Sequence, residues 1–123
     1  MTGEALVLFA HGSREPNWAR PLEALRDAIR RRCPGLRVEL AYLESMTPSL
    51  PEAAAQLVSQ GVRHIRVLPV FLGHGSHLRR DLPALADAAH ALHPDLTVTL
   101  LPALGEHRTI LDGLARLIAD SLA

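Results

Sequence analysis

Short apolar segments alternate with amphipathic ones four times along this chain of 123 residues. The first segment, Ala5–Ala10, is apolar at every position, which is typical of a strand that is covered on both faces. Three further segments predict strands at 36–43, 65–72 and 96–101. Apolar positions at helical spacing predict helices over 16–32, 47–60, 82–92 and 106–122. Each predicted strand is therefore followed by a predicted helix.

Prolines set the predicted starts of three of these helices, because a proline is tolerated in the first turn, where its missing N–H has no partner. We place Pro16, Pro48 and Pro83 in those first turns, with Asp81 as the cap of the third helix. Gly61 is predicted to end the second helix, as glycines commonly do.

Strict alternation of strands and helices with short connections predicts an α/β fold, in which helices cover both faces of a four-stranded parallel sheet. No linker or low-complexity tract divides the chain, so we expect a single domain over residues 1–123. Pro69 fits this scheme worst, because a proline inside a central strand removes a donor from the hydrogen-bond ladder. Four strands also leave exposed sheet edges, which favours pairing with a second copy.

The tripeptide His-Gly-Ser occurs twice, at 11–13 and at 74–76, and each copy follows a predicted strand. The carboxyl ends of parallel strands open into the ligand crevice of such a sheet. Imidazole is the commonest metal ligand, and two strands can direct imidazoles to one point. The second copy is followed at once by His77. Spacing alone leaves open whether His74 or His77 faces the crevice.

Glu44 follows the second predicted strand in the same way that His11 follows the first. A carboxylate at that position would add oxygen to the imidazole nitrogens, and such a mixed set suits borderline divalent ions. Three strand ends would then each supply one potential ligand. The pattern predicts a metal site at the rim of the sheet.

Charge and cysteine content limit the binding partners and the cellular compartment that we expect for this protein. Thirteen basic residues, all of them arginine, balance thirteen acidic ones, so no net field recruits nucleic acid or an anionic membrane. The single cysteine, Cys33, rules out an internal disulfide, which fits a reducing compartment. No signal sequence is recognisable, and the apolar segments are too short to cross a bilayer. We expect a cytoplasmic protein that binds neither nucleic acid nor membranes.

Three other chemistries fit the sequence less well. The loop after the first strand lacks the Gly-x-Gly-x-x-Gly of a dinucleotide fold, and it is not a P-loop either, so no nucleotide is expected. Ser13 lies outside any Gly-x-Ser-x-Gly motif, which disfavours a hydrolase. A receiver-like signalling domain would need an aspartate after the third strand, where the chain has Val70 and Phe71.

Several stretches resemble the class II, ATP-independent tetrapyrrole chelatases, and most closely the short CbiX-type sirohydrochlorin chelatases. They are Phe-Ala-His-Gly-Ser-Arg at 9–14, Tyr-Leu-Glu at 42–44 with Pro48 after it, Pro-Val-Phe-Leu-Gly at 69–73, and Gly-Ser-His-Leu-Arg-Arg-Asp-Leu-Pro at 75–83. The last stretch is the most specific, and the resemblance spans essentially the whole chain in the same motif order.

The resemblance implies a flavodoxin-like domain that is half of a longer class II chelatase, and hence a homodimer. It implies that His11 and His77 bind the metal, that Glu44 can join them, and that His74 is not a ligand. The implied function is insertion of a divalent metal into sirohydrochlorin in cobalamin or sirohaem biosynthesis, without a nucleotide. Co²⁺ is the favoured metal, although the same ligands accept Fe²⁺, Ni²⁺ and Zn²⁺.

Arginines adjoin both histidine motifs, at Arg14 and at Arg79 and Arg80. A guanidinium forms strong paired hydrogen bonds with a carboxylate, and sirohydrochlorin carries many carboxylates. We therefore expect these arginines to bind the tetrapyrrole. The alternative to an enzyme is a carrier protein that binds metal or tetrapyrrole without turnover.

Overall fold

The structure is a computed structural model that describes residues 3–73 and 76–123, apart from the side chains of residues 76–79. Strands and helices alternate along it, as predicted. In chain order the elements are β1 (Glu4–Ala10), α1 (Arg20–Arg32), β2 (Arg37–Tyr42), α2 (Leu50–Ser59), β3 (His64–Pro69), α3 (Ser76–Leu92), β4 (Thr97–Leu100), a 3₁₀ turn (Leu104–Glu106) and α4 (Arg108–Ser121).

The strands form one parallel sheet in the order β2-β1-β3-β4. Pro69 is the last residue of β3, opposite Phe9 of β1. Leu101 N donates a hydrogen bond to Val67 O at 2.8 Å, and the pairing toward β4 ends there. Pro69 therefore stands where that pairing stops, and its missing N–H costs the ladder little.

Alternate residues of β1 face two separate cores, one on each side of the sheet. Ala5, Val7 and Phe9 pack with α2 and α3. Leu8 and Ala10 pack on the other side, against the apolar face of α1. Helices thus cover both faces of the sheet, which confirms the predicted α/β architecture.

Three helix starts differ from those that the prolines predicted. α1 begins at Arg20, after turns that contain Pro16. α2 begins at Leu50, where Ser49 and Glu52 form a reciprocal capping box, a stronger start signal than Pro48. α3 begins at Ser76, so Pro83 lies inside it and Asp81 is not its cap. An interior proline removes one helical hydrogen bond, and α3 continues through it.

α4 differs from the other helices because none of its residues is buried. Its main contact among the described elements is the 104–106 turn that precedes it. Its first turn borders a shallow apolar cleft of about 400 Å³ formed with Leu68, Leu101 and Pro102. No helix within the described residues is long and apolar enough to span a bilayer.

Candidate functional site

His11 and Glu44 lie side by side at the carboxyl edge of the sheet. Parallel pairing between β1 and β2 continues past both strands, since Leu43 N donates to Ala10 O at 2.9 Å and Glu44 N donates to His11 O at 3.1 Å. The backbone ladder therefore holds the two predicted ligands in adjacent positions. This part of the predicted site is assembled by the sheet itself.

The two side chains also contact each other. His11 Nε2 lies 2.9 Å from Glu44 Oε1, a hydrogen-bond distance. The side chains are 56% and 61% exposed, so the pair is open to solvent. An imidazole and a carboxylate that are paired at an open rim are accessible to a metal ion from solution.

Gly12 allows the two loops to approach this closely. Its φ is 95°, which L side chains rarely adopt, and a Cβ at this position would lie 1.8 Å from the carbonyl oxygen of Glu44. Only glycine fits both constraints. The sequence places a glycine in this motif, but no pattern in it indicates that the neighbour is the backbone of Glu44.

His77 was predicted as the third ligand. Its backbone lies in the first turn of α3, which follows β3, the strand next to β1. Its side chain and that of Arg79 lie outside the described part of the chain, as does His74 altogether. Among the side chains that are described, no group of three His, Cys, Asp or Glu residues could hold a metal ion. The described site is a pair of ligands.

The structure describes the side chains of two of the three arginines that were predicted to bind carboxylates. Arg14 follows His11 in the loop after β1 and is exposed. Ser13 Oγ accepts a hydrogen bond from Glu15 N at 3.0 Å, which shapes the turn around Arg14. Arg80 is exposed on α3. Neither guanidinium forms an ion pair with a described carboxylate, so both can meet a ligand.

A second close approach, which sequence reasoning missed, supports the segment between β3 and α3. Gly105 N donates to Phe71 O at 2.9 Å, and a Cβ on Gly105 would lie 1.5 Å from Leu72 O. The rings of Phe9 and Phe71 meet edge to face, with centroids 6.4 Å apart. The 104–106 turn therefore packs on the backbone that leads toward α3. The sequence feature that could have predicted this contact is a glycine between the last strand and the last helix.

Tyr42, the last residue of β2, is buried with the α1 core. It also lines a polar cleft of about 200 Å³ with Glu23 and Arg26. Burial raises the pKa of the Tyr42 hydroxyl, and the negative charge of Glu23 acts in the same direction. This hydroxyl therefore stays protonated near neutral pH. Neither His11 nor Glu44 lines that cleft.

Comparison of the sequence with known proteins finds matches within one protein family. The model of the CbiX family matches residues 5–121. A sirohydrochlorin cobaltochelatase from Methanocaldococcus jannaschii is 42% identical over 82 residues, which are 67% of this chain and 57% of that protein. The chain thus spans little more than half the length of that curated relative.

Solved structures share the fold. A protein from Marinobacter aquaeolei VT8, described as a CbiX protein of cobalamin (vitamin B12) biosynthesis, superposes with a TM-score of 0.86 at 28% identity, and the match covers 97% of each chain. The sirohydrochlorin chelatase SirB from Bacillus subtilis subspecies spizizenii, in complex with cobalt, superposes with a TM-score of 0.81 at 21% identity. That match covers 95% of this chain and 50% of SirB. At this identity the likeness to SirB is one of fold.

Proposed function

Because this chain belongs to the CbiX family, we propose that it is an ATP-independent chelatase that inserts Co²⁺ into sirohydrochlorin. The observation that carries the proposal is the exposed pair of His11 and Glu44 at the carboxyl edge of the sheet. The choice of cobalt is supported by the relative named as a sirohydrochlorin cobaltochelatase. Cobalamin biosynthesis is the corresponding pathway.

The pair has suitable geometry for two neighbouring ligands. Imidazole nitrogen and carboxylate oxygen form bonds of roughly 2.0–2.2 Å to an ion such as Zn²⁺. Two such bonds at about a right angle separate the ligand atoms by the 2.9 Å observed between Nε2 and Oε1. We propose that His11 and Glu44 bind the incoming ion in this way and that His77 of α3 completes the ligand set.

Few protein ligands at an open site also suit release of the ion. Chelation requires that water leaves the metal, that the ring nitrogens replace the protein ligands, and that the pyrrole protons are removed. A neutral imidazole or the Glu44 carboxylate can accept those protons, because each has a lone pair that is free once the ion has left it. The same pair therefore serves as ligand first and as proton acceptor afterwards.

The test is an absorbance assay under anaerobic conditions, with purified protein, sirohydrochlorin and each of Co²⁺, Fe²⁺, Ni²⁺ and Zn²⁺ in turn. We expect catalysed insertion above the rate without protein, and fastest with Co²⁺. A His93→Ala variant is the control, since His93 follows α3 at the opposite edge of the sheet. Stoichiometric binding without turnover would instead identify a carrier protein, and preference for Fe²⁺ would indicate sirohaem biosynthesis.

We propose that the carboxylates of the tetrapyrrole are bound by Arg14, Arg79 and Arg80, and that these arginines do not bind the metal. Replacing Arg14 with glutamine should raise the KM for sirohydrochlorin by up to about fivefold, because an exposed ion pair contributes roughly 1 kcal/mol or less. The KM for the metal should not change. Steady-state kinetics with each substrate varied separately measures both, and Arg31→Gln, on the exposed end of α1, is the matched control. An unchanged KM for sirohydrochlorin in the glutamine variants of all three arginines would contradict this role.

We propose a homodimer as the working form and the cytoplasm as its location. The dimer is supported by the exposed apolar residues of α4, among them Leu117 and Ile118, and by the match to half of SirB. The location is supported by Cys33, a free thiol on the surface, which a reducing compartment would preserve.

A further inference from the structure

We propose that the exposed side chains of Trp18 and Leu72 bind the flat ring of the tetrapyrrole. We call these two side chains the ring contacts. The inference rests on the proposed function, because it names two further residues that would bind the same substrate. It assigns a contact to the conjugated ring itself, whereas the arginines proposed above bind the carboxylates around that ring.

Few large apolar side chains are exposed in the part of the chain that the structure describes. Of the eight that are exposed there, five lie on α4 or directly after it. The other three are Trp18, Leu72 and Leu92, which are 38%, 67% and 69% exposed. Trp18 lies between β1 and α1 and Leu72 between β3 and α3, so both belong to connections at the carboxyl edge of the sheet. Leu92 ends α3 and lies at the opposite edge.

The ring contacts belong to the same two connections as the proposed metal ligands. Trp18 follows His11 in the connection after β1. Leu72 lies in the connection after β3, which leads to His77 in the first turn of α3. Because β1 and β3 are neighbours in the sheet, the two connections leave the same edge side by side. The ring contacts therefore border the candidate site from two neighbouring strands.

The backbone around Trp18 is held in place although the indole is exposed. Trp18 N donates to Glu15 O at 3.1 Å, and Arg20 N donates to Asn17 O at 3.2 Å. Ala19, the next residue, is buried in the α1 core. The indole thus extends from a segment that is anchored on both sides. A contact that is preorganised in this way costs little conformational entropy when a ligand binds.

The backbone of Leu72 is anchored in a similar way. The preceding residue, Phe71, packs against the core on the side of α2 and α3, and its carbonyl oxygen accepts a hydrogen bond from Gly105 N at 2.9 Å. The carbonyl of Leu72 lies so close to Gly105 that a Cβ there would be 1.5 Å from the oxygen. The main chain of Leu72 therefore packs on the 104–106 turn, while its side chain remains exposed.

An indole and an aliphatic side chain match the chemistry of a broad conjugated ring. Aromatic side chains stack on other flat π-systems and bury a large apolar area when they do so. A tetrapyrrole offers such a plane, and its carboxylates lie around the edge, where exposed arginines such as Arg14 can bind them. Neither ring contact has an atom that binds a divalent ion. The ring contacts should therefore hold the tetrapyrrole equally well with and without metal.

Equilibrium dialysis of metal-free sirohydrochlorin under anaerobic conditions tests the ring contacts without turnover. An indole that is 38% exposed presents roughly 90 Å², and contact over half of this area corresponds to about a tenfold change in Kd. Trp18→Ala should therefore raise the Kd about tenfold, and Leu72→Ala about threefold to fivefold. Trp18→Phe should retain most of the affinity. Leu92→Ala, at the opposite edge, is the matched control and should leave the Kd unchanged.

Salt separates the ring contacts from the arginines. Ions screen an exposed ion pair, but they do not screen the burial of apolar area. The ratio of the Kd of Trp18→Ala to that of the wild-type protein should therefore be the same at low and at high salt. The corresponding ratio for Arg14→Gln should fall toward one as salt increases.

The outcomes distinguish failure of the ring contacts from failure of the proposed function. Folded Trp18→Ala and Leu72→Ala proteins, verified by circular dichroism, that bind sirohydrochlorin as the wild-type protein does would overturn the ring contacts and leave the proposed function in place. An equal loss of affinity in Leu92→Ala would also overturn them. A wild-type protein that neither binds nor converts sirohydrochlorin would overturn both.

Discussion

Replacing His11 with alanine should abolish metal insertion while the domain stays folded. His11 is 56% exposed and bonds only to Glu44 among the described side chains, so its loss removes no core packing. One of the proposed metal ligands disappears with it, together with a proposed acceptor of the pyrrole protons. We expect kcat/KM for chelation to fall by roughly a hundredfold or more, as the loss of a positioned acid–base group commonly does. The anaerobic absorbance assay measures this fall, and thermal unfolding verifies the fold.

His77→Ala should have an effect of the same size, and His74→Ala should be mild. The comparison decides between the two histidines of the second motif, which the sequence left open by spacing and which the family resemblance resolved in favour of His77. A loss in His74→Ala as complete as that in His77→Ala would reverse this assignment. Near wild-type rates in both His11→Ala and His77→Ala would show that the metal binds elsewhere.

Replacing Gly12 with alanine should damage both the stability of the domain and the site. The new Cβ would lie 1.8 Å from Glu44 O and would require φ near 95°. We expect the free energy of unfolding to fall by about 3 kcal/mol, from backbone strain and from the displaced β2 loop. Because that loop carries Glu44, chelation should fall as well. Urea unfolding and the absorbance assay measure the two effects.

Gly61 offers a matched control for this substitution. Its φ of 94° is nearly the same, but a Cβ there would meet nothing within 4 Å. Gly61→Ala should therefore show the backbone strain alone, about 1 kcal/mol, with unchanged chelation. Equal stability losses in the two variants would mean that the contact with Glu44 O is not the cause, and the explanation of the loop geometry would fail.

The sequence predicted the sheet well because period and length are local properties. The short apolar run Ala5–Ala10 predicted a buried strand, and the order of strands and helices left little choice of architecture. It also placed His11 and Glu44 at one rim, since carboxyl ends of parallel strands share an edge. That the two side chains meet at 2.9 Å depends on how the backbones of two loops pack, and no local pattern encodes that distance.

The first residues of the helices and the surroundings of α4 could not be predicted from the sequence, for a different reason. The sequence pattern predicts Pro83 in a first turn, but the preference of proline for that position is statistical and α3 starts at Ser76. The amphipathic pattern of the last helix correctly predicted a helix with one apolar face. A pattern of this kind indicates an apolar face, and it does not indicate which surface, if any, covers that face.

The ladder bonds from Leu43 to Ala10 and from Glu44 to His11 make one half of the candidate site mechanically stiff. These bonds fix the relative position of the two backbones that carry the proposed ligands His11 and Glu44. The third proposed ligand, His77, follows a different strand and is not part of that ladder. The proposed ligand set is thus divided between separate βα connections. A rigid cage that held all its ligands on one element would retain the ion and compete with the macrocycle for it.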